Sequence, residues 1–193
     1  MFSKLALLAA FTSYLILLPP AAQAGGPTEQ LRATLADFLT ILNNTPVPEL
    51  RATGLPETAL KLVFARFDFS EMTKRSLGRH WKSLCPSDQQ EFVDALTQRL
   101  LIAYGRSVRS SGDDKIEFKR EAQKGNQASV ETRIVRSEGG ELSIDYRLHD
   151  VNGQWKVYDV SIDHVSLVSN FRAQFERVIA KSSIKELLKK VKE

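Results

Sequence analysis

Apolar positions recur at two different periods along this chain, and the change of period divides it. Leu31, Leu35, Phe38 and Leu42 stand three and four residues apart, which predicts a helix from about Thr28 to Asn43, closed by Asn43-Asn44-Thr45-Pro46 and Pro48. A second helical stretch runs from about Glu57 to Ala65. The next carries Phe69, Met72 and Leu77, with Asp68 or Ser70 as its cap and Gly78 interrupting or ending it. Pro86 suits the first turn of the longest helix, and Ser87-x-x-Gln90 offers a second cap pattern there. That helix reaches to about Val108 and spreads Phe92, Val93, Leu96, Leu100, Tyr104 and Val108 over more than one narrow face. A helix apolar on so many sides is expected to be largely enclosed.

From Ser110 the period shortens to two. Ser111-Gly112-Asp113-Asp114, Lys124-Gly125-Asn126, Glu138-Gly139-Gly140 and Asn152-Gly153 are turn signals at near-regular intervals, and they leave strand-like stretches at about 115–123, 127–136, 141–149 and 154–163. Leu142, Ile144, Tyr146 and Leu148 point one way on the third, against Ser143, Asp145 and Arg147; Tyr158, Val160 and Ile162 oppose Asp159, Ser161 and Asp163 on the fourth. Leu167, Phe171, Phe175 and Val178 then restore the helical period, and a tail helix follows with Ile184, Leu187, Leu188 and Val191. Helices, meander, helices is the order of an α+β fold: a four-stranded antiparallel meander with helices packed on one face. No internal repeat or linker divides it, so residues 25–193 are expected to form a single domain.

The first residues change the picture of where the protein works. Lys4 precedes an apolar run, Leu5 to Leu18, broken only by Thr12, Ser13 and Tyr14, and Ala22-Gln23-Ala24 is a small-x-small cleavage pattern. Residues 1–24 therefore read as a cleaved secretory signal peptide; the run is short of the ~20 residues that cross a bilayer, and Pro19-Pro20 ends it. Removing it takes away one lysine and no acid, lowering the formal net charge from +4 to +3, a balance that gives no reason to expect a nucleic-acid partner. Cys85 is the only cysteine, so an exported chain has no internal disulfide and must be held by packing.

Candidate chemistry concentrates in Phe67-Asp68-Phe69-Ser70-Glu71-Met72-Thr73-Lys74-Arg75-Ser76-Leu77-Gly78-Arg79-His80-Trp81. A nucleophile needs a base in reach and a third group to orient it. Cys85 and His80 are five residues apart, a spacing that does not share a helix face, and Pro86 makes Cys85 a cap-region residue. His80, His149 and His164 lack metal-closing spacings, and neither a phosphate-cradling glycine loop nor a nucleophile elbow is present. No metal site and no cofactor are expected, and the stretch reads as a structural brace around Trp81. What asks for explanation is the apolar surface of the long helix, the sheet and the closing helix. Such surfaces are either a tight core or walls standing apart around an apolar ligand, and both use the same residue types.

Two motifs carry more. Phe67-Asp68-Phe69-x-x-Met72 with Leu77-Gly78-x-His80-Trp81 and Pro86-x-x-Gln89-x-x-x-Phe92, and the segment from Trp155 to Phe175 containing Val157-Tyr158-Asp159-Val160-Ser161-Ile162 and Asn170-Phe171-Arg172, closely resemble the MlaC family of periplasmic phospholipid-binding proteins. The resemblance implies a fold related to the nuclear-transport-factor-2 shape, enclosing an apolar pocket between sheet and helices. It implies a periplasmic carrier, not an enzyme, with phospholipid as cargo. The implied partners are an inner-membrane ABC transporter complex with its MCE protein and an outer-membrane lipoprotein–porin complex, and free diffusion between them favours a monomer. A hopanoid-associated branch looks similar, so hopanoid or another apolar lipid is an alternative cargo. A pocketed hydrolase or isomerase of similar shape is the enzyme alternative, with Asp145, Asp159 and His149 as its candidates if the strand faces are reversed.

On that reading the lipid wall is expected from Leu100, Tyr104 and Val108 of the long helix, Ile144, Tyr146 and Leu148 of the third strand, Val160 and Ile162 of the fourth, and Leu167 and Phe171 of the closing helix. Arg147 is read either as a headgroup or rim residue or as a solvated cross-strand partner. Lys181, Lys185, Lys189, Lys190 and Lys192 form either a surface for an anionic membrane or acidic partner, or a solvated face. Two positions depart from the family pattern: His164 where a glycine is common, and Cys85 where a serine or threonine cap is common. Enclosure is the physical task, since each buried CH₂ is worth ~0.8 kcal/mol and one acyl chain would cost more than ~10 kcal/mol to expose to water.

Overall fold

In the computed structural model, residues 25–46, 48, 50, 54–105, 114–137 and 139–193 are described. The signal-peptide expectation, Val108 and most of the turn before the first strand lie outside them. The chain runs α1 (Pro27–Asn44), α2 (Glu57–Arg66), α3 (Phe69–Leu77), a 3-10 turn (Gly78–Ser83) and α4 (Pro86–Gly105). There follow β1 (Lys115–Lys124), β2 (Gln127–Val135), β3 (Glu141–Val151), β4 (Gln154–Ile162), β5 (Val165–Ser166), α5 (Leu167–Lys181) and α6 (Ile184–Lys192). The five strands form one antiparallel sheet in sequential order. The expected meander of four gains the two-residue β5, which returns along β4 and leads directly into α5.

The helix ends follow the cap chemistry of the residues there. Asp68 caps α3 by accepting the Glu71 N–H at 2.8 Å, Ser166 caps α5 through Ser169, and Ser183 caps α6 through Glu186. At α4 the Cys85 carbonyl accepts the Gln89 N–H at 3.0 Å, so the cap falls on Cys85 and not on the Ser87-x-x-Gln90 pattern. Gly78 ends α3 at φ 55° and ψ −124°, a region that excludes side chains, and a Cβ there would meet the Arg172 guanidinium at 3.0 Å.

The β4–β5 hairpin turns on two residues, Asp163 at φ 46° and His164 at φ 67°, the left-handed pair of a type I′ turn. Histidine thus occupies a position that glycine fills without strain, and its exposed imidazole stands 3.8 Å from Asp145. His164→Gly is expected to raise stability by ~0.5 kcal/mol, read as a higher urea midpoint at unchanged slope.

Two further departures from the sequence pattern have local causes. A bulge between Arg147 and Leu148 in the β3–β4 register adds one residue to β4, so Val157 and not Tyr158 lies opposite Leu148. Tyr158 instead sets its ring edge-on to His149, with centroids 5.5 Å apart, beneath the Arg75 guanidinium. On α4, Phe92, Ala95, Leu96 and Leu100 are buried, but Ile102 is 66% exposed, so enclosure holds for the first turns and not the last.

One apolar cluster unites α1, α3, α4, α5 and α6 with the inner face of the sheet, and a smaller one joins Phe38 and Leu42 of α1 to Ala59 of α2. Close backbone approach to the sheet is made by α1, α2, α3 and α5, while α4 packs mainly against α3 and α6. Leu96 and Leu100 belong to the same apolar cluster as the sheet residues, and Tyr104 packs against it.

Candidate lipid-binding site

Strand register sorts the inner face of the sheet into rows. Ala128, Leu148 and Val157 form the first, Val130, Tyr146 and Val160 the second, Phe118, Thr132, Ile144 and Ile162 the third, and Ile116, Ile134 and Leu142 the fourth. Burial falls along this series. The first two rows are buried throughout; in the third only Thr132 is buried, its hydroxyl donating to the Ile144 carbonyl at 2.8 Å; in the fourth every side chain is half-buried. The apolar face is sealed at the Leu148 end and opens toward the Leu142 end.

The expected wall residues can be placed on this gradient. Leu100, Tyr146, Leu148, Val160 and Leu167 are buried members of the main cluster, while Tyr104, Ile144, Ile162 and Phe171 pack against it half-buried. Val108 lies outside the described residues. The inner-facing side chains of β1 and β2, Ile116, Phe118, Val130 and Ile134, complete the rows and were not among the expected wall residues. Their signal was the same alternation that marks β3, diluted by charged neighbours such as Glu117, Lys119 and Arg120.

Arg147 lies on the opposite face, alternating with Tyr146 and Leu148, 57% exposed and with its guanidinium 3.8 Å from Asp159. This is the cross-strand arrangement rather than a position on the apolar rows. Asp159 itself is sealed: its carboxylate accepts the Ser166 hydroxyl at 2.7 Å and the Val168 N–H at 3.1 Å, pinning the start of α5 to β4. His149 turns the other way, its Nε2 3.0 Å from Asp68, and Asp145 faces His164. The three polar groups that a pocketed enzyme would need are each engaged off the apolar rows.

The polar stretch around His80 resolves into joints. Phe67 forms a parallel bridge to Val157, and the Asp68 N–H donates to the Val157 carbonyl at 2.8 Å, so this segment covers the free edge of β4. Arg79 Nη2 donates to Glu176 at 2.9 Å and His80 Nε2 lies 3.3 Å from the same carboxylate, tying the 3-10 turn to α5. The His80 hydrogen bond first, and Arg79 with it, hold the Glu176 carboxyl below its ordinary value. That stabilisation is present above the ordinary glutamate pKa and fades as pH falls through the lower folded value. His80→Ala is thus expected to lower the melting temperature modestly at neutral pH, with a smaller difference from wild type in acid and unchanged lipid content.

Arg66 is a buried cation that the pattern did not single out, because a basic residue in a last helical turn ordinarily faces water. Its Nη1 donates to the Trp155 carbonyl at 2.6 Å and to Gln30 Oε1 at 2.9 Å, and Nε donates to Thr34. Burial lowers its pKa. Lys156, which donates to the Ala65 carbonyl, is lowered by burial first and by Arg66, against the pull of Asp68. These contacts join α1, α2 and β4 beside the sealed rows.

Among the described residues no cluster of His, Cys, Asp or Glu is arranged to hold a metal ion, and no helix is long and apolar enough to cross a membrane. In the tail, Leu187 and Val191 of α6 are buried, while all five lysines from Lys181 to Lys192 are exposed, Lys192 meeting Glu91.

Comparison with known proteins bears on this architecture. The fold is similar to that of the phospholipid-binding protein from Ralstonia solanacearum, solved in complex with a phospholipid, with a TM-score of 0.75 at 24% identity over 86% of this chain and 95% of that one. The toluene tolerance protein ttg2D of Pseudomonas putida is 22% identical over 148 residues, which are 76% of this chain; the match spans 61% of that protein's length. The family model described as MlaC protein matches residues 33–193, from the second turn of α1 through every strand to the final residue. With the motifs around His80-Trp81 and Val157–Phe175 inside that span, this chain belongs to the MlaC family.

Proposed function

We propose that this protein is a periplasmic phospholipid carrier that holds acyl chains against the inner face of its sheet. The observation that carries the reading is the row-by-row opening of a continuous apolar face, from the sealed Leu148 row to the half-buried Leu142 row. A closed core gains nothing from leaving Ile116, Ile134, Ile144, Ile162 and Leu142 half-buried. An acyl chain laid along them would cover that area, and each CH₂ so enclosed is worth ~0.8 kcal/mol. Family membership and the fold shared with a phospholipid-bound protein support the cargo class.

The carrier delivers and collects lipid without chemistry of its own. Transfer between an outer-membrane lipoprotein–porin complex and an inner-membrane ABC transporter complex with its MCE protein then follows from graded affinity for the same chains, since a partner shifts the equilibrium only by holding lipid more or less tightly. The signal-peptide pattern of residues 1–24 supports periplasmic residence, and a monomer suits diffusion between two membranes.

Native mass spectrometry of the purified mature protein, followed by denaturation and lipid extraction, tests the reading. A stoichiometric added mass that resolves to phospholipid is the expected result. Hopanoid in its place would move the protein to the other branch, and bare protein that refuses offered lipid would mean that the rows are ordinary core.

A further inference from the structure

The excess positive charge of the protein is gathered on its C-terminal helices. Residues 177–193 hold six basic side chains and two acidic ones, a formal charge of +4, against +3 for the whole of residues 25–193. The chain before Arg177 is therefore close to neutral. Ile184, Leu187, Leu188 and Val191 turn one side of α6 to the apolar cluster, which leaves Lys185, Lys189, Lys190 and Lys192 exposed on the other. Arg99 of α4 joins them, its Nη1 donating to the Lys190 carbonyl at 3.3 Å. Of the five tail lysines, only Lys192 meets an acid among the described residues, and that acid is Glu91; Glu186 and Glu193 of the same helix pair with none of them. Helix dipoles suit Lys181 at the end of α5 and Lys189, Lys190 and Lys192 at the end of α6. Lys185 has no such reason: it stands in the first turn of α6, at the positive end, four residues before a like charge at Lys189. The concentration of lysine thus exceeds what the helix ends themselves ask for.

We infer that the lysine face of α6 docks the protein on the surface of an anionic lipid bilayer, held there by charge and not by insertion. The residue types favour a membrane over an acidic protein. Protein interfaces are depleted in lysine and draw their energy from buried aromatic and arginine anchors. This face is built of lysine, and α6 exposes no large apolar side chain. Ammonium groups on flexible stems suit a diffuse layer of phosphates, which asks for no fixed geometry. Each lysine near such a surface is worth roughly a 5-fold gain in binding, and the gain is lost as salt shortens the reach of the field. With its apolar side committed to the core, α6 has nothing to insert between the acyl chains, so the contact stays reversible. The inference concerns a surface apart from the apolar rows, and it stands whether or not those rows hold lipid.

The test sediments the mature protein with vesicles of phosphatidylcholine alone, or of three parts phosphatidylcholine to one of phosphatidylglycerol. Wild type is expected to bind only the vesicles that contain phosphatidylglycerol. Release is expected when salt rises from about 0.1 M to about 1 M, which cuts the screening length from about 10 Å to about 3 Å. The variant Lys185→Gln/Lys189→Gln/Lys190→Gln is expected to bind at least ~10-fold more weakly, with its melting temperature close to that of wild type. Lys61→Gln/Lys115→Gln/Lys124→Gln removes the same charge from exposed positions on α2 and β1 and is expected to bind like wild type. Equal loss in both triple variants overturns the inference, since net charge and not this face would then set binding. Binding that survives in the α6 variant, or that ignores salt, overturns it too. Wild type that ignores both kinds of vesicle while binding immobilised polyglutamate overturns it in favour of an acidic protein partner. Lipid extracted from each variant is measured alongside: a carrier reading that fails shows as lipid-free wild type, whatever the vesicles report.

Discussion

Ile144→Glu and Ile162→Glu are each expected to yield folded protein that purifies with little or no lipid. The two side chains face each other across β3 and β4 in the third row, where the sheet passes from buried to half-buried. Half-burial leaves a glutamate there a route to water in the lipid-free state, so the change should destabilise that state by no more than ~1–2 kcal/mol. With lipid present, the same carboxylate must either be covered by hydrocarbon or displace it. Covering an unpaired charge costs several kcal/mol, which amounts to at least ~10-fold weaker retention. Arg147→Gln is the matched control. Its side chain stands on the opposite face beside Asp159, and lipid content should not change. Loss of lipid in Arg147→Gln would return that residue to a headgroup role, and full lipid in both glutamate variants would take the third row out of the binding surface.

Asp159→Ala is expected to cost ~3 kcal/mol, a large share of the stability of a domain this size. The carboxylate is 2% exposed and holds two donors at the first turn of α5, the Ser166 hydroxyl and the Val168 N–H. It also sits where the partial positive charge of the helix N-terminus favours an anion. Alanine would leave the buried Val168 N–H without an acceptor and Arg147 without its partner. Asp159→Asn keeps one acceptor and loses the charge, so about 1 kcal/mol is the expected cost. Urea denaturation of lipid-free protein reads both. Because α5 carries Leu167 and Phe171 against the apolar cluster, the alanine variant should also release lipid more readily than the asparagine one. Equal stability of wild type and Asp159→Ala would show that β5 and the Ser166 cap hold α5 without it.

The elements themselves were legible because their signals are local. Turn residues at 125–126, 139–140 and 152–153 bracket alternating stretches, and the strands begin and end within two residues of the bounds those signals predict. Asp68, Gly78 and Pro86 punctuate the helices for reasons each residue carries alone. The inward, apolar side of the sheet was legible too on β3, whose alternation is unbroken from Leu142 to Leu148. On β4 the same rule misplaced Tyr158. A bulge depends on how two strands meet, and one inserted residue turns everything before it to the other face.

By itself, then, the sequence determined the α+β class, the order of elements, an apolar face and, through two long motifs, the family. Local propensity and period-two or helical patterning are written residue by residue, and that sufficed for these. Only the tertiary structure decided which apolar positions are sealed and which stand open. Leu148 and Ile144 are both aliphatic residues on one strand face, yet one is buried and the other half-buried. It likewise decided that Arg66 is buried and that Asp159 pins a helix. Burial and hydrogen-bond satisfaction are properties of neighbours distant in sequence, and no residue carries them alone.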